Sequence, residues 1–124
     1  MNAVFAVALG GAVGASARFL AVGAISRALP GFPWGTMMVN VAGSLIMGLL
    51  AVVLLEKGQF GRFAPFLLTG VLGGFTTFSA FSLDALFLVE RGRMLAAAGY
   101  IAGSVAASLA ALALGLWLAR RVLL

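Results

Sequence analysis

The sequence predicts an all-α membrane protein that crosses the bilayer four times. Of its 124 residues, 64% are hydrophobic and only 9% are charged, and the mean hydropathy is +1.20, values that soluble globular domains do not reach. A helix needs about 20 apolar residues to cross the hydrocarbon core, and four stretches have that length, at about 3–26, 34–55, 63–89 and 95–119. Their connections are short, so residues 1–124 are predicted to form one membrane domain with no soluble module.

Small and polar residues mark the first two spans. Arg18 is the only basic residue well inside a span, and its charge either snorkels to the interface or keeps a vestibule for anions positive. In the second span Thr36 and Asn40 are four residues apart, with Ser44 a further turn along. Polar groups at such depth usually mark a pathway or a packing hydrogen bond. Close helix packing is predicted by three GxxxG pairs, Gly10/Gly14, Gly70/Gly74 and Gly99/Gly103.

Residues 70–84, GVLGGFTTFSAFSLD, predict a broken helix in the third span. Gly73 and Gly74 weaken the helix at membrane depth, where an unpaired N–H or C=O costs several kcal/mol, so the break is placed at these two glycines. Thr76 and Thr77 offer polar groups beside it. Broken helices are tolerated at this depth where they line a cavity, an ion site or a protein interface.

Three phenylalanines follow the predicted break at intervals of three residues, namely Phe75, Phe78 and Phe81. This spacing predicts that their rings share one helical face. A packed aromatic stripe is the ordinary explanation of such a pattern. Because ring edges are electropositive, two phenylalanines with their edges toward a pore would also stabilise a small anion without holding it tightly.

A line of hydroxyl groups runs along the fourth span. Tyr100, Ser104 and Ser108 follow one another at intervals of four residues, which places them on one helical face over roughly 12 Å. A single serine in a membrane helix usually bonds to the carbonyl four residues back. Three hydroxyls on one face, opposite the helix that carries Asn40, favour a hydrated track of hydrogen-bond donors. Such a track suits an anion, since no carboxylate lies in the middle of a span.

The distribution of positive charge favours insertion in both orientations. If the N-terminus is cytoplasmic, four basic residues lie on the cytoplasmic side and three on the other, a difference too small to set the topology. The first group is Lys57, Arg62, Arg120 and Arg121, and the second is Arg27, Arg91 and Arg93. The prediction is therefore an antiparallel, dual-topology homodimer, with a weakly biased single topology as the alternative.

Composition excludes most catalytic chemistry. The chain has no cysteine, no histidine and only three acidic residues, so neither a metal cluster of side chains nor a catalytic triad is expected, and the protein is predicted not to be an enzyme. The net charge of +5 lies mainly at the membrane borders, where anchoring to lipid headgroups explains it better than nucleic-acid binding. No basic segment precedes the first apolar stretch, so no cleavable signal peptide is expected.

Three blocks of the sequence have specific patterns: GGAVGASARF at 10–19, WGTMMVNVAGS at 34–44 and GGFTTFSAF at 73–81. Together they resemble the signatures of the Fluc fluoride channels, also called the CrcB family. Length and the four-span layout agree, so the resemblance covers nearly the whole chain. It implies an antiparallel dual-topology homodimer in the cell inner membrane, whose two pores export toxic fluoride passively from the cytoplasm.

The resemblance also implies roles for individual residues. Phe78 and Phe81 match the two pore phenylalanines whose ring edges face fluoride, and Asn40 matches the pore asparagine of the second span. Arg18 matches the arginine near the pore entrance. The polar track is matched by Thr36, Tyr100, Ser104 and Ser108.

A structural sodium ion on the dimer axis is implied as well. Gly73 and Thr76 match the positions whose backbone carbonyls bind this ion in the family. Two residues depart from the family pattern, since Ala80 stands where many members have threonine and Asp84 where many have glutamate. Neither change removes a pore group, although the second could alter the field of the vestibule.

Two other classes of protein stay open at the level of the residues. A small proton-coupled multidrug exporter of four helices shares the size and the dual topology, but it needs a membrane-buried carboxylate, which the first span lacks. A non-transporting assembly subunit or holin-like protein has no use for a broken helix beside ordered polar residues.

Overall fold

The computed structural model describes residues 2–58 and 60–124, and this part of the chain is helical apart from its short connections and contains no strand. Four helical segments are long and apolar enough to cross a membrane, namely Ala3–Ala28, Trp34–Glu56, Gly61–Glu90 and Met94–Leu123. They begin within two residues of the predicted spans, and the last one ends four residues later than predicted.

The first two spans are single helices. α1 covers Ala3–Ala28 and begins after Asn2, whose side-chain oxygen accepts the Val4 N–H at 2.8 Å. Such a cap satisfies one of the free N–H groups at the start of a helix. α2 covers Trp34–Ala51 and continues into one π-helical turn at Val52–Glu56.

The third span is assembled from short pieces, and the fourth is one long helix. A 3-10 turn at Gly61–Phe63 leads into a π-helix at Pro65–Leu72 and one α-helical turn, α3, at Gly73–Phe75. Thr76 and Thr77 have extended backbones, with ψ angles of 156° and 123°. Helices α4, Phe78–Glu90, and α5, Met94–Leu123, come next.

The predicted position of the interruption in the third span is wrong by a few residues. Gly73 and Gly74 are both helical, and the extended residues are Thr76 and Thr77. The glycines instead permit close packing, because a Cβ atom on Gly74 would lie 2.8 Å from the Gly11 carbonyl oxygen of α1. The backbone leaves the helix three residues later, where a side chain of α2 bonds to it.

The predicted aromatic face is also corrected. Phe75 precedes the two extended residues, so it does not share a helical face with Phe78 and Phe81. Its ring lies toward α2, where Cδ2 would be 3.4 Å from a Cβ atom on Gly43. Only the last two rings belong to one helix.

The helices pack in a way that divides the third span between two neighbours. Its π-helix and α3 lie along α1, whereas α4 lies against α5, and α2 packs along α5. The contact with α1 is a glycine contact, since a Cβ on Gly70 would be 2.9 Å from the Gly10 Cα. Gly14 and Gly74 make similar approaches, but Gly99 has open space, so only two of the three predicted GxxxG pairs lie at a close helix contact.

An arginine side chain links two segments of the chain at each end of the bundle. Arg93 donates to the Gly31 carbonyl, which joins the first and third connections at one end. At the other end, Arg120 Nε donates to Glu56 Oε2 at 3.1 Å. The four spans therefore alternate in direction. The buried core between α4 and α5 contains Ala85, Leu88, Ala97 and Tyr100.

Candidate functional site

A cavity of about 330 Å³, here called the central cavity, lies beside the two extended threonines, and its walls are mostly apolar with polar groups among them. It is lined by Asn40, Gly43, Ser44, Met47, Thr76, Thr77, Phe78, Phe81, Ser104, Val105, Ser108 and Leu112. Five of the eight residues predicted for a pore are in this set, and they come from three different helices. None of the described residues that line the cavity is acidic or basic, so its polarity comes from amide, hydroxyl and backbone groups.

Asn40 holds the extended backbone in place. Its Oδ1 accepts the Thr77 N–H at 2.7 Å, and its Nδ2 donates to the Thr77 carbonyl at 2.9 Å. The amide therefore replaces both backbone partners that an extended residue inside a membrane span lacks. An asparagine amide has two N–H groups, so one remains for the cavity.

The side chains of Thr76 and Thr77 form further hydrogen bonds with backbone groups of the third span. Thr77 Oγ1 accepts the Ala80 N–H at 3.1 Å and so caps α4. The Leu72 carbonyl accepts two hydrogen bonds from Thr76, one from its Oγ1 hydroxyl at 2.9 Å and one from its backbone N–H at 3.0 Å. The capping role of Thr77 was not predicted, although a threonine directly before an apolar helix is a typical N-cap signal.

Two backbone carbonyls near the threonines lose their helical partners. In a continuous α-helix the Gly73 carbonyl would accept from Thr77, and the Thr76 carbonyl from Ala80. The Thr77 N–H goes to Asn40 instead, and the Ala80 N–H goes to the Thr77 hydroxyl. Neither carbonyl accepts a hydrogen bond from another of the described residues. These are the two positions predicted to bind sodium.

Arg18 bonds to the same segment from α1. Its Nε donates to the Gly74 carbonyl at 3.0 Å. In a continuous α-helix this carbonyl would accept the N–H of Phe78, so it is the third carbonyl of the segment that lacks its helical hydrogen bond. Arg18 also lines a second cavity of about 470 Å³, here called the outer cavity, together with Thr36, Thr77 and Ala80. The predicted pore residues Arg18 and Thr36 therefore lie on the outer cavity rather than on the central one.

The aromatic residues form a continuous series. The Phe81 ring centroid lies 5.5 Å from that of Phe78 and 5.3 Å from that of Tyr100. The two phenylalanines differ in environment, because Phe78 is 78% exposed whereas Phe81 packs against the buried core. Phe81 is therefore fixed by packing, whereas Phe78 has its ring free to face the cavity or the surface outside it.

The predicted line of three hydroxyls is divided in the structure. Tyr100 is fully buried, does not line the central cavity, and donates its hydroxyl to Asp84 Oδ2 at 3.1 Å. Ser104 and Ser108 do line the cavity. Ser104 is 5% exposed, and its Oγ has no hydrogen-bond partner among the described residues. A buried hydroxyl without a partner is costly, so this donor is available to whatever occupies the cavity.

Replacing Asn40 by leucine tests its hold on the third span. The N–H and C=O of Thr77 would lose their partners, so we expect the free energy of unfolding to fall by about 1–3 kcal/mol. Thermal unfolding in detergent and amide hydrogen exchange at Thr77 report the change. Ser44→Ala, one turn along on the same cavity, is the control and should leave both readings unchanged. An Asn40→Leu protein that is as stable and as protected as wild type would contradict this role.

Comparison with known proteins places the chain in a family. The family model described as "CrcB-like protein, Camphor Resistance (CrcB)" matches residues 5–116. Over 117 residues the chain is 58% identical to the protein named "Fluoride-specific ion channel FluC" of Cereibacter sphaeroides (strain ATCC 17029 / ATH 2.4.9), covering 94% of this chain and 93% of that relative. A protein of the same name from Paracoccus denitrificans (strain Pd 1222) is 56% identical over 114 residues, covering 92% of this chain and 91% of that relative. Another, from Mesorhizobium japonicum (strain LMG 29417 / CECT 9101 / MAFF 303099), is 50% identical over 115 residues, covering 92% of this chain and 93% of that relative. The chain therefore belongs to the CrcB family and is a multi-pass membrane protein.

Proposed function

We propose that this protein is a fluoride-selective channel that exports cytoplasmic fluoride passively, and that it is not an enzyme. The observation that carries the proposal is the central cavity, where the described residues offer hydrogen-bond donors at membrane depth and no carboxylate. Ser104 supplies a buried hydroxyl without a partner among the described residues. The name of the relatives, which describes them as fluoride-specific ion channels, supports the same ion for this chain.

The donors of the central cavity suit a small, strongly hydrated anion. Fluoride that leaves water must regain hydrogen bonds, since burying an unpaired charge is very costly. The hydroxyls of Ser104 and Ser108 and the remaining N–H of Asn40 provide them. All three are neutral, so they bind the ion weakly enough to release it, as conduction requires.

Phe78 and Phe81 provide the rest of the coordination in this proposal. Both rings border the central cavity, and their electropositive edges attract an anion without a hydrogen bond. The two rings pack against each other with centroids 5.5 Å apart, so an anion would meet their edges from the cavity and not between them.

The same cavity argues against proton-coupled drug export. That mechanism needs a carboxylate on the transport path. Asp84 is the one acidic residue that lies away from the ends of the described spans, and its side chain accepts from the Tyr100 hydroxyl, outside the central cavity.

The channel is proposed to be an antiparallel dual-topology homodimer with a broken third helix and two pores. The balanced positive charge, four residues against three, supports insertion in both orientations. The exposure of Phe78 and Gly73 beside the extended threonines supports a partner at this surface, because an irregular backbone at membrane depth is tolerated where protein covers it.

A structural sodium ion is proposed at the centre of this dimer. The carbonyls of Gly73 and Thr76 accept no hydrogen bond within the described chain, and a two-fold axis beside them would bring four such oxygens together. Four neutral oxygens suit a monovalent hard cation, whereas a divalent ion usually recruits carboxylates. The charge of the ion would also attract an anion to the neighbouring pores.

Fluoride flux is the direct test of the function. Purified protein in liposomes with a potassium gradient should release fluoride when valinomycin is added, and chloride should stay trapped. No proton gradient should be needed, because no carboxylate of the described residues lines the central cavity. An ion-selective electrode measures the efflux. Equal rates for chloride, or dependence on a proton gradient, would rule out the proposed channel.

Replacing Phe78 by isoleucine tests the aromatic coordination. The change roughly keeps apolar volume and removes the ring edge, so fluoride flux should fall at least about tenfold, which corresponds to about 1.4 kcal/mol. Dimer yield and thermal unfolding should hold, because isoleucine keeps most of the apolar surface of the ring. Phe5→Ile on the outer face of α1, 57% exposed, is the matched control and should conduct normally. Unchanged flux in the Phe78 variant would show that the ring has no role in the pore.

A crystal structure of the reconstituted protein tests the dimer and its ion together. We expect two antiparallel copies and a density peak on the two-fold axis, surrounded by the Gly73 and Thr76 carbonyl oxygens of both copies. Protein prepared without sodium should lose activity or stability. A parallel dimer, or an axis that holds only water together with indifference to sodium, would refute this part of the proposal.

A further inference from the structure

A second arginine lines the outer cavity and has no part in the pore proposed above. Arg27 follows Arg18 by nine residues on α1, and both line the cavity with Thr36, Thr77 and Ala80. The Arg27 guanidinium lies over Gly23, where Nη1 would be 3.6 Å from a Cβ atom. The only salt bridge among the described residues joins Arg120 to Glu56, so the charge of Arg27 is not neutralised by it.

The outer cavity is positively charged, in contrast to the neutral central cavity. Its described lining contains two arginines and no carboxylate. Arg18 uses its Nε on the Gly74 carbonyl, but the rest of its guanidinium is still charged. Two positive charges on a cavity with apolar walls raise the local concentration of anions.

Thr77 stands between the two cavities. It lines both of them, so the donors of the central cavity and the arginines of the outer one lie on either side of a single residue. Arg27 is exposed and lies near the end of α1, on the approach from the solution that bathes the first and third connections. Of the two arginines that line the outer cavity, it is the one nearer the end of α1.

Building on the proposed fluoride function, we propose that Arg27 and Arg18 form an anion-collecting mouth and that Arg27 sets the rate of fluoride capture at low ionic strength. Arg27 acts through its field and not by contact with the ion. A field of this kind reaches about 30 Å at 0.01 M salt and only about 3 Å at 1 M. Its contribution must therefore disappear as the salt concentration rises.

Single-channel fluoride currents in planar bilayers of neutral phosphatidylcholine test the proposal. The proteins to compare are wild type, Arg27→Gln, Arg27→Lys and Arg121→Gln. Arg121 lies at the opposite end of the protomer, with its guanidinium 5.5 Å from the Trp117 ring centroid, and does not line the outer cavity. Its replacement therefore removes the same charge from each face of the proposed antiparallel dimer without touching that cavity. Currents are recorded at about 0.01 M and about 1 M ionic strength.

We expect Arg27→Gln to lower the current about two- to fivefold at low ionic strength and to match wild type at high ionic strength. Arg27→Lys and Arg121→Gln should resemble wild type in both. An Arg27→Gln current equal to wild type at low salt overturns the proposal, as does a loss that is the same at both salt concentrations, or an equal loss in Arg121→Gln. Absence of fluoride current in wild type would instead overturn the proposed function.

Discussion

The hydrogen bonds between Asn40 and Thr77 are the interaction on which the rest of the structure depends. A membrane span that leaves the helix must find partners for its backbone inside the protein. Asn40 supplies both partners for Thr77, and this releases the Thr77 hydroxyl to cap α4. The direction of α4, and with it the position of Phe78 and Phe81 on the central cavity, depends on one side chain of α2.

Glycine packing supports this arrangement from the other side. Gly10 and Gly14 hold α1 against the first half of the third span at backbone distance, which brings Arg18 within reach of the Gly74 carbonyl. The third span therefore receives a hydrogen bond from α1 just before its extended residues, and hydrogen bonds from α2 at the extended residues themselves. Its two halves can pack on different helices because each half is fixed independently.

The four spans could be predicted because hydrophobic length and the prolines, glycines and charges of the connections determine them locally. The polar residues of the cavity could also be predicted. Side chains such as Asn40, Ser104 and Ser108 are energetically unfavourable inside a bilayer, so they usually mark a pathway or a packing hydrogen bond. The exact place of the extended backbone could not be predicted. Glycines such as Gly73 and Gly74 destabilise a helix, but a glycine also permits close contact with a neighbouring helix, as Gly74 does with α1. The sequence alone does not distinguish these two roles. The link from Tyr100 to Asp84 depends on side-chain direction, which spacing alone does not give.

The two-residue link between α3 and α4 has a consequence for how the sequence can change. Successive residues of an extended segment face opposite sides, so one residue added to or removed from this link turns the chain that follows by about 180°. An insertion or deletion between Phe75 and Phe78 would therefore turn Phe81 away from Tyr100, its neighbour at 5.3 Å, and would separate Thr77 from Asn40. The surface connections have no such constraint, so length variation in this protein should be confined to them, while the spacing of this short segment stays invariant.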